Sequence, residues 1–370
     1  MTGRERFLSC VRYGGVDRPP CSFSATWAVA RSLMAALGVD GHEPLLRRLG
    51  VDMRFVSPRY VGPPLRDFGG GVAEGLWGER SRAVMGPCGE FREMTHMPYA
   101  GVDDLRGFAE VRFPSPDWFD CSRIAEDADE LGGHAVALGY QGASNPYGRP
   151  GYSAPVPAAP DYINGPARLM GRERALVGLA LRDPVYMELM DRKHELLMAV
   201  YERALKAGKG KVDALFLADD LGGQEATLIS PETFDGTLAG RYRDFIGLGH
   251  RYGAVVMMHM CGSVRALLPR LIGLGLDVLD VVQPEAGGMG IESLREAFHG
   301  RIAFSGTMGL QRTLPFGTED EVRGEVGLRR RLFPEGGIII GPSNNLQGDI
   351  PIGNILAMYG AVGGLKADMD

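Results

Sequence analysis

Eight short apolar runs, separated by stretches of helical periodicity, constrain this chain most. They are Cys21–Trp27, Val51–Ser57, His134–Tyr140, Val212–Asp219, Ala254–Cys261, Asp277–Gln283, Arg301–Gly306 and Gly337–Gly341. Several hold four or five apolar residues in a row, as in Ala214–Ala218 and Ala254–Met258. A strand with one wet face alternates apolar and polar, whereas one apolar at every position is covered on both faces. That is the condition of a parallel sheet with crossover helices. Between the later runs, Pro184–Ala207 repeats apolar residues (Met187, Leu189, Met190, Leu196, Leu197, Val200, Leu205) at helical spacing. Ser230 before Pro231, Thr318 before three acids, and Ser263 read as helix caps. Strand–helix alternation without a long hydrophilic edge strand predicts an α/β fold, a (β/α)8 TIM-type barrel with an N-terminal helical extension.

The 370 residues are expected to form a single domain, since barrels with insertions reach this length. Two insertions break the alternation. Residues near 58–120, rich in Gly, Pro and charge, read as a hairpin excursion between strands two and three. Residues 141–166 form a long Pro/Gly/aromatic loop, whose Tyr147, Tyr152 and Tyr162 either line a pocket or cover strand ends. The net charge of −6 gives no basic excess for nucleic acid. Arg329–Arg331 read as a solvated helix face. No apolar run is long enough to span a bilayer, and the charged start does not read as a signal peptide. Five scattered cysteines (Cys10, Cys21, Cys88, Cys121, Cys261) fit a reducing, cytoplasmic setting rather than a disulfide framework.

The residues that carry chemistry stand at run ends. His259 and Cys261, two apart at the end of a strand, point to the same side. An imidazole and a thiolate make a zinc pair, although a catalytic zinc needs about three protein ligands, and a buried His and Cys without metal is the plainer reading. Asp219 and Asp220 end another run before Gly222–Gly223. They face water, a cation or a substrate donor, one of them acting as a general acid, or one caps the turn. Gln283 and Glu285 stand at the end of the next run, with Glu285 a ligand, a base or a plain loop acid. Asn344 and Gln347 follow the last, and either hold a substrate carboxylate or carbonyl or close the turn. Gln224 completes the candidate substrate-binding set with Gln283, Asn344, Gln347 and Tyr147. Polar groups at so many strand ends point to an enzyme acting on a small molecule.

Segments spread over nearly the whole chain resemble one superfamily. "RERFLSCVRYGGVDRPP" is similar to its opening helix and Asp-Arg-Pro turn, and "LADDLGGQEATLISPETF" to its Asp-Asp segment. "HMCGSVRALLPRLIGLGLDVLDVVQPEAGGM" resembles its His-x-Cys-Gly region, and "GPSNNLQGDIPIGNILAMY" its last unit. The resemblance is to the uroporphyrinogen decarboxylase superfamily, in its branch of corrinoid-linked methyltransferases. It implies a barrel in which His259 and Cys261 hold zinc, with a methyl group moving between a small thiol or methyl ether and a cobamide. No cobalamin-binding element is seen, so a corrinoid would arrive free or on a partner corrinoid protein.

Two departures qualify this. Where the methyltransferases carry a further Cys or His after the last strand, this chain has Ser343–Asn345, and neither Ser nor Asn is a strong zinc ligand. The third ligand is then Glu285 or Asp220, or zinc is weak or absent. The Arg-rich segment of porphyrinogen decarboxylases is reduced to Arg31, so a substrate with many carboxylates is not expected. The alternatives are a metal-free decarboxylase (lyase) of a small acid acting through Asp219 or Asp220, and a non-catalytic ligand-binding relative.

Overall fold

The computed structural model describes residues 1–86, 89–111, 113–139 and 159–366. Seven strands form one parallel sheet in chain order: β1 (Met53–Val56), β2 (Ala135–Leu138), β3 (Ala214–Ala218), β4 (Val255–His259), β5 (Val278–Asp280), β6 (Ala303–Ser305) and β7 (Ile338–Ile339). Each strand pairs in parallel with the next, so every link is a crossover.

The sheet curls, and its two faces bury different residues. Met53, Ala135, Ala137, Ala214, Phe216, Val255, Met257, Val278, Ala303 and Ile339 form one core, into which Phe7 and Cys10 of the first helix (Gly3–Val11) pack. The intervening residues, among them Val136, Leu217, Met258, Leu279 and Phe304, join the larger core beneath the helices. This division explains the continuous apolar runs.

The eighth expected strand differs. The run Cys21–Trp27 makes single parallel bridges, Cys21 with Ile340 and Ala25 with Leu346, and then turns into a helix at Trp27. The Ser22 N–H donates to Ile340 O (2.9 Å), Ile340 N–H to Pro20 O (2.8 Å) and Asp52 N–H to Cys21 O (3.0 Å). Pro19 and Pro20 bring no N–H to a ladder, and the Thr26 side chain caps the following helix, so little extended chain remains. The result is a curled seven-stranded parallel sheet with this segment between β7 and β1, a form compatible with a TIM-like barrel.

The expected excursion lies between β1 and β2. It is a three-stranded antiparallel sheet (Val72–Glu74, Arg80–Gly86, Gly89–His96), together with Arg59–Tyr60 paired to Phe119–Asp120. Helix Pro184–Ala207 has its expected bounds, with Asp183 as cap, and Thr318 forms a capping box with Glu321. Ser263 is not a cap. Its hydroxyl donates to Gly287 O (2.6 Å), and the helix starts only at Leu268, beside Pro269. Arg329 is not solvated but 2% exposed, donating to Thr307 O (2.6 Å) and paired with Glu325 (3.0 Å). Among the described residues no helix is long and apolar enough to cross a membrane.

Candidate metal centre

β4 runs from Val255 to His259, and strand alternation turns Val255, Met257 and His259 to the inside of the curl. The chain then turns at Gly262, whose φ of +81° favours glycine. Cys261, two residues beyond His259 and on the same side of the chain, sets its Sγ 3.2 Å from His259 Nε2. Asp220, just past β3, brings Oδ1 to 3.9 Å from the same nitrogen and accepts the Cys261 N–H at 3.2 Å. One donor atom from each of Asp220, His259 and Cys261 lies within 4.8 Å of the other two. Bonds of about 2.0–2.3 Å around a tetrahedral zinc place its donors roughly 3.3–3.7 Å apart, so nitrogen, sulfur and oxygen are set close to that spacing.

Behind the imidazole, Nδ1 lies 3.2 Å from Asp280 Oδ2, and Asp280 is 1% exposed. A carboxylate accepting from Nδ1–H fixes the tautomer and leaves the Nε2 lone pair facing Cys261 and Asp220, the arrangement that orients a metal-binding histidine. Burial by itself would lower the imidazole pKa. Asp280 and Cys261 outweigh it and raise the pKa well above the usual histidine value, so the metal-free ring favours its protonated form, and a metal at Nε2 would take the place of that proton. Asp220 is in turn oriented by Asn164, whose Nδ2 donates to Oδ2 at 2.6 Å.

Asn344 stands beside Cys261 without acting as an oxygen donor. Its Oδ1 accepts the Asn345 N–H at 2.6 Å, so its Nδ2 faces the Cys261 sulfur at 3.0 Å.

The adjacent aspartates separate. Asp219 does not face water but is 3% exposed. It accepts from Tyr162 N (2.8 Å), Ile163 N (3.0 Å) and Tyr242 OH (2.7 Å), which anchors the chain entering helix Asn164–Met170. Burial pushes its carboxyl up to about 7, aided by Asp161, against those three hydrogen bonds. Tyr162 is buried, its hydroxyl on His194 Nδ1 (2.7 Å).

Glu285 stands apart from the three-residue set. Its Oε1 accepts the Gln311 N–H at 3.1 Å. Gln224 accepts from Gln283 (3.2 Å) and Gln311 (3.0 Å) and donates to Glu285 O (3.1 Å), so two of the amides expected to bind substrate, Gln224 and Gln283, are tied to each other. Gln347 is exposed in the turn after β7, its carbonyl accepting from Ile350 N at 3.2 Å. Tyr147 and Tyr152 lie outside the described residues.

Sequence reasoning overlooked Asp280 and Asn164. A signal for Asp280 was present. It is an acid inside the run "DVLDVV", in alternation with Val278, and therefore faces inward. Asn164 carried none.

The chain has the fold of a solved methyltransferase. That structure, a "methyltransferase from Methanosarcina mazei", matches with a TM-score of 0.63 at 18% sequence identity, over 98% of this chain and 98% of that chain. At this identity the likeness carries the fold. No family model matches the chain, and no curated protein sequence does.

Proposed function

We propose that this chain is a methyltransferase-like enzyme of the uroporphyrinogen decarboxylase superfamily. In this reading it is a single (β/α)8 domain over residues 1–370, with Pro20–Ala25 in the place of the eighth strand. It moves a methyl group between a small thiol or methyl ether and a cobamide, at a zinc site held by His259, Cys261 and Asp220. The observation that carries the reading is the convergence of these three donors with Asp280 behind the imidazole. The shared fold of a protein described as a methyltransferase supports it.

When bound, zinc supplies a lowered pKa to a ligated thiol, so that a thiolate is available at neutral pH. The chain's own residues prepare that site. Asp280 orients His259, the Asn344 amide and His259 Nε2 hold the Cys261 sulfur, and Asn164 with the Cys261 N–H fixes Asp220. The cobamide would come from solution or on a corrinoid protein docked over the strand ends. The decarboxylase alternative draws less support, because Asp219 spends both oxygens on the Tyr162–Ile163 turn and on Tyr242.

The test is demethylation of methylcobalamin by zinc-loaded protein with a panel of small thiols, followed by the cobalamin absorbance, and the reverse reaction with methyl ethers. Turnover lost in His259→Ala and Cys261→Ser is expected. Zinc-loaded wild type inert in both directions, or turnover surviving Cys261→Ser, overturns the reading.

A further inference from the structure

Three polar side chains form a line from solvent to the buried turn beside the metal donors. Asp244, on helix Ala239–Arg251, is 56% exposed, and His194, on helix Pro184–Ala207, is 17% exposed. Tyr162, on the turn entering helix Asn164–Met170, is fully buried. The Asp244 carboxylate lies 3.2 Å from His194 Nε2, and the Tyr162 hydroxyl lies 2.7 Å from Nδ1 of the same ring. Phe245 packs edge-on against the imidazole.

The direction of each hydrogen bond follows from the chemistry. Burial holds the Tyr162 phenol pKa well above its usual value, so the hydroxyl keeps its proton. Among the described residues His194 Nδ1 is the acceptor it meets. Nδ1 is then unprotonated, and Nε2–H donates to Asp244. Protonating Nδ1 turns the acceptor into a donor and leaves the buried O–H without a partner, which opposes the imidazolium. The other charges near the ring are Asp191 on its own helix and Arg241 on the helix of Asp244, and these two are paired with each other. Burial, with Arg241, lowers the His194 pKa against the pull of Asp244 and Asp191.

What Tyr162 holds gives this line its consequence. Its N–H and that of Ile163 donate to Asp219, and its carbonyl accepts from the Tyr186 hydroxyl at 2.6 Å. Two residues on, Asn164 orients Asp220. We propose that Asp244, His194 and Tyr162 are a latch, released by acid, that fixes the turn 161–164 and thereby places Asp220. They are positioning residues, and their effect on a metal rests on the zinc reading of the site. The latch contributes its full stability above about pH 6.5, where the unfolded histidine is neutral too, and loses it as pH falls below that value.

The experiment has two arms, both on full-length protein. NMR of histidine-labelled protein reads the tautomer and titration of His194, assigned with His194→Asn. Neutral His194 is expected to carry its proton on Nε2 and to titrate below the usual histidine value, and Tyr162→Phe should raise that pKa. An Nδ1–H tautomer, titration at or above the usual value, or a pKa that Tyr162→Phe does not move overturns the latch. In the second arm a chromophoric chelator reads zinc affinity, with circular dichroism and a urea midpoint to confirm folding. At pH 7.5, His194→Ala and Tyr162→Phe should weaken zinc about threefold to tenfold, less than the loss of a direct partner of a ligand. His194→Asn, whose side-chain oxygen falls near the place of Nδ1 and does not titrate, should stay within about twofold of wild type. Between pH 7.5 and 5.5 wild type should lose about threefold or more beyond the loss in His194→Asn, and because the ligands titrate alike in both, this ratio isolates the latch. Wild-type affinity in His194→Ala and Tyr162→Phe, or a ratio flat with pH, overturns the link to Asp220. Zinc bound by no form contradicts the methyl-transfer reading alone, and the imidazole titration still decides the latch.

Discussion

Replacing Asp219 should damage the fold and leave the metal donors in place, although its neighbour Asp220 belongs to the site. The Asp219 carboxylate answers the N–H groups of Tyr162 and Ile163 and the Tyr242 hydroxyl, all on residues no more than 4% exposed. A buried donor left without a partner costs about 1–3 kcal/mol. Asp219→Asn keeps the shape but turns an NH2 toward at least one of these donors, a loss of about 1–3 kcal/mol. Asp219→Ala strands all three, a loss of roughly 3–6 kcal/mol once relaxation and entry of water are allowed. The loss stays at the lower end because the carboxylate itself is costly to bury, as its pKa of about 7 shows. Urea denaturation near neutral pH, followed by circular dichroism, reads the order wild type, Asn, Ala in falling stability. Zinc stoichiometry of the Asn variant should equal that of wild type. Wild-type midpoints in both variants, or an Asn variant of full stability that has lost its metal, would refute the division of labour between the two aspartates.

Asp280→Asn should weaken zinc binding about 10- to 100-fold, the usual effect of removing the carboxylate behind a histidine ligand, read by competition with a chromophoric chelator. Asn344→Cys should tighten it at least tenfold by the same assay, since position 344 already brings Nδ2 to 3.0 Å from the Cys261 sulfur and a thiolate there adds a strong ligand. Two hydrogen bonds from Arg6 hold the Asp17 carboxyl below the usual carboxylate range, so its contribution to stability is present above about pH 4 and is lost as pH falls through the depressed value. Asp17→Asn should therefore lower stability at pH 6 and flatten the acid limb of a stability–pH curve. The effect is small, because Asp17 is 45% exposed.

The sheet was legible because both its faces are covered. Runs such as Ala214–Ala218 and Val255–Met258 admit few other readings, and the helix Pro184–Ala207 announces itself by period and cap. The eighth strand is reduced to single parallel bridges, with Ile340 and Leu346, because an apolar run does not record whether the chain has N–H groups free to pair. Pro19 and Pro20 before it and Thr26 within it decide the outcome locally. His259 and Cys261 could be paired from strand alternation alone, and Asp220 could be offered as third donor from its place at a strand end. Its separation from Asp219 could not be read, since it depends on where residues 161–163 return in space. Arg329 shows the same limit. Three consecutive arginines on a helix point in three directions, and one of them meets the Thr307 carbonyl in the interior.

The most direct test of the metal centre is cobalt titration of metal-free protein, followed by the thiolate-to-cobalt charge-transfer band. The account predicts one equivalent per chain, a band abolished by Cys261→Ser, and weaker binding in His259→Ala and Asp220→Asn. A chain that binds no cobalt at stoichiometric concentration, or whose band survives Cys261→Ser, contradicts it.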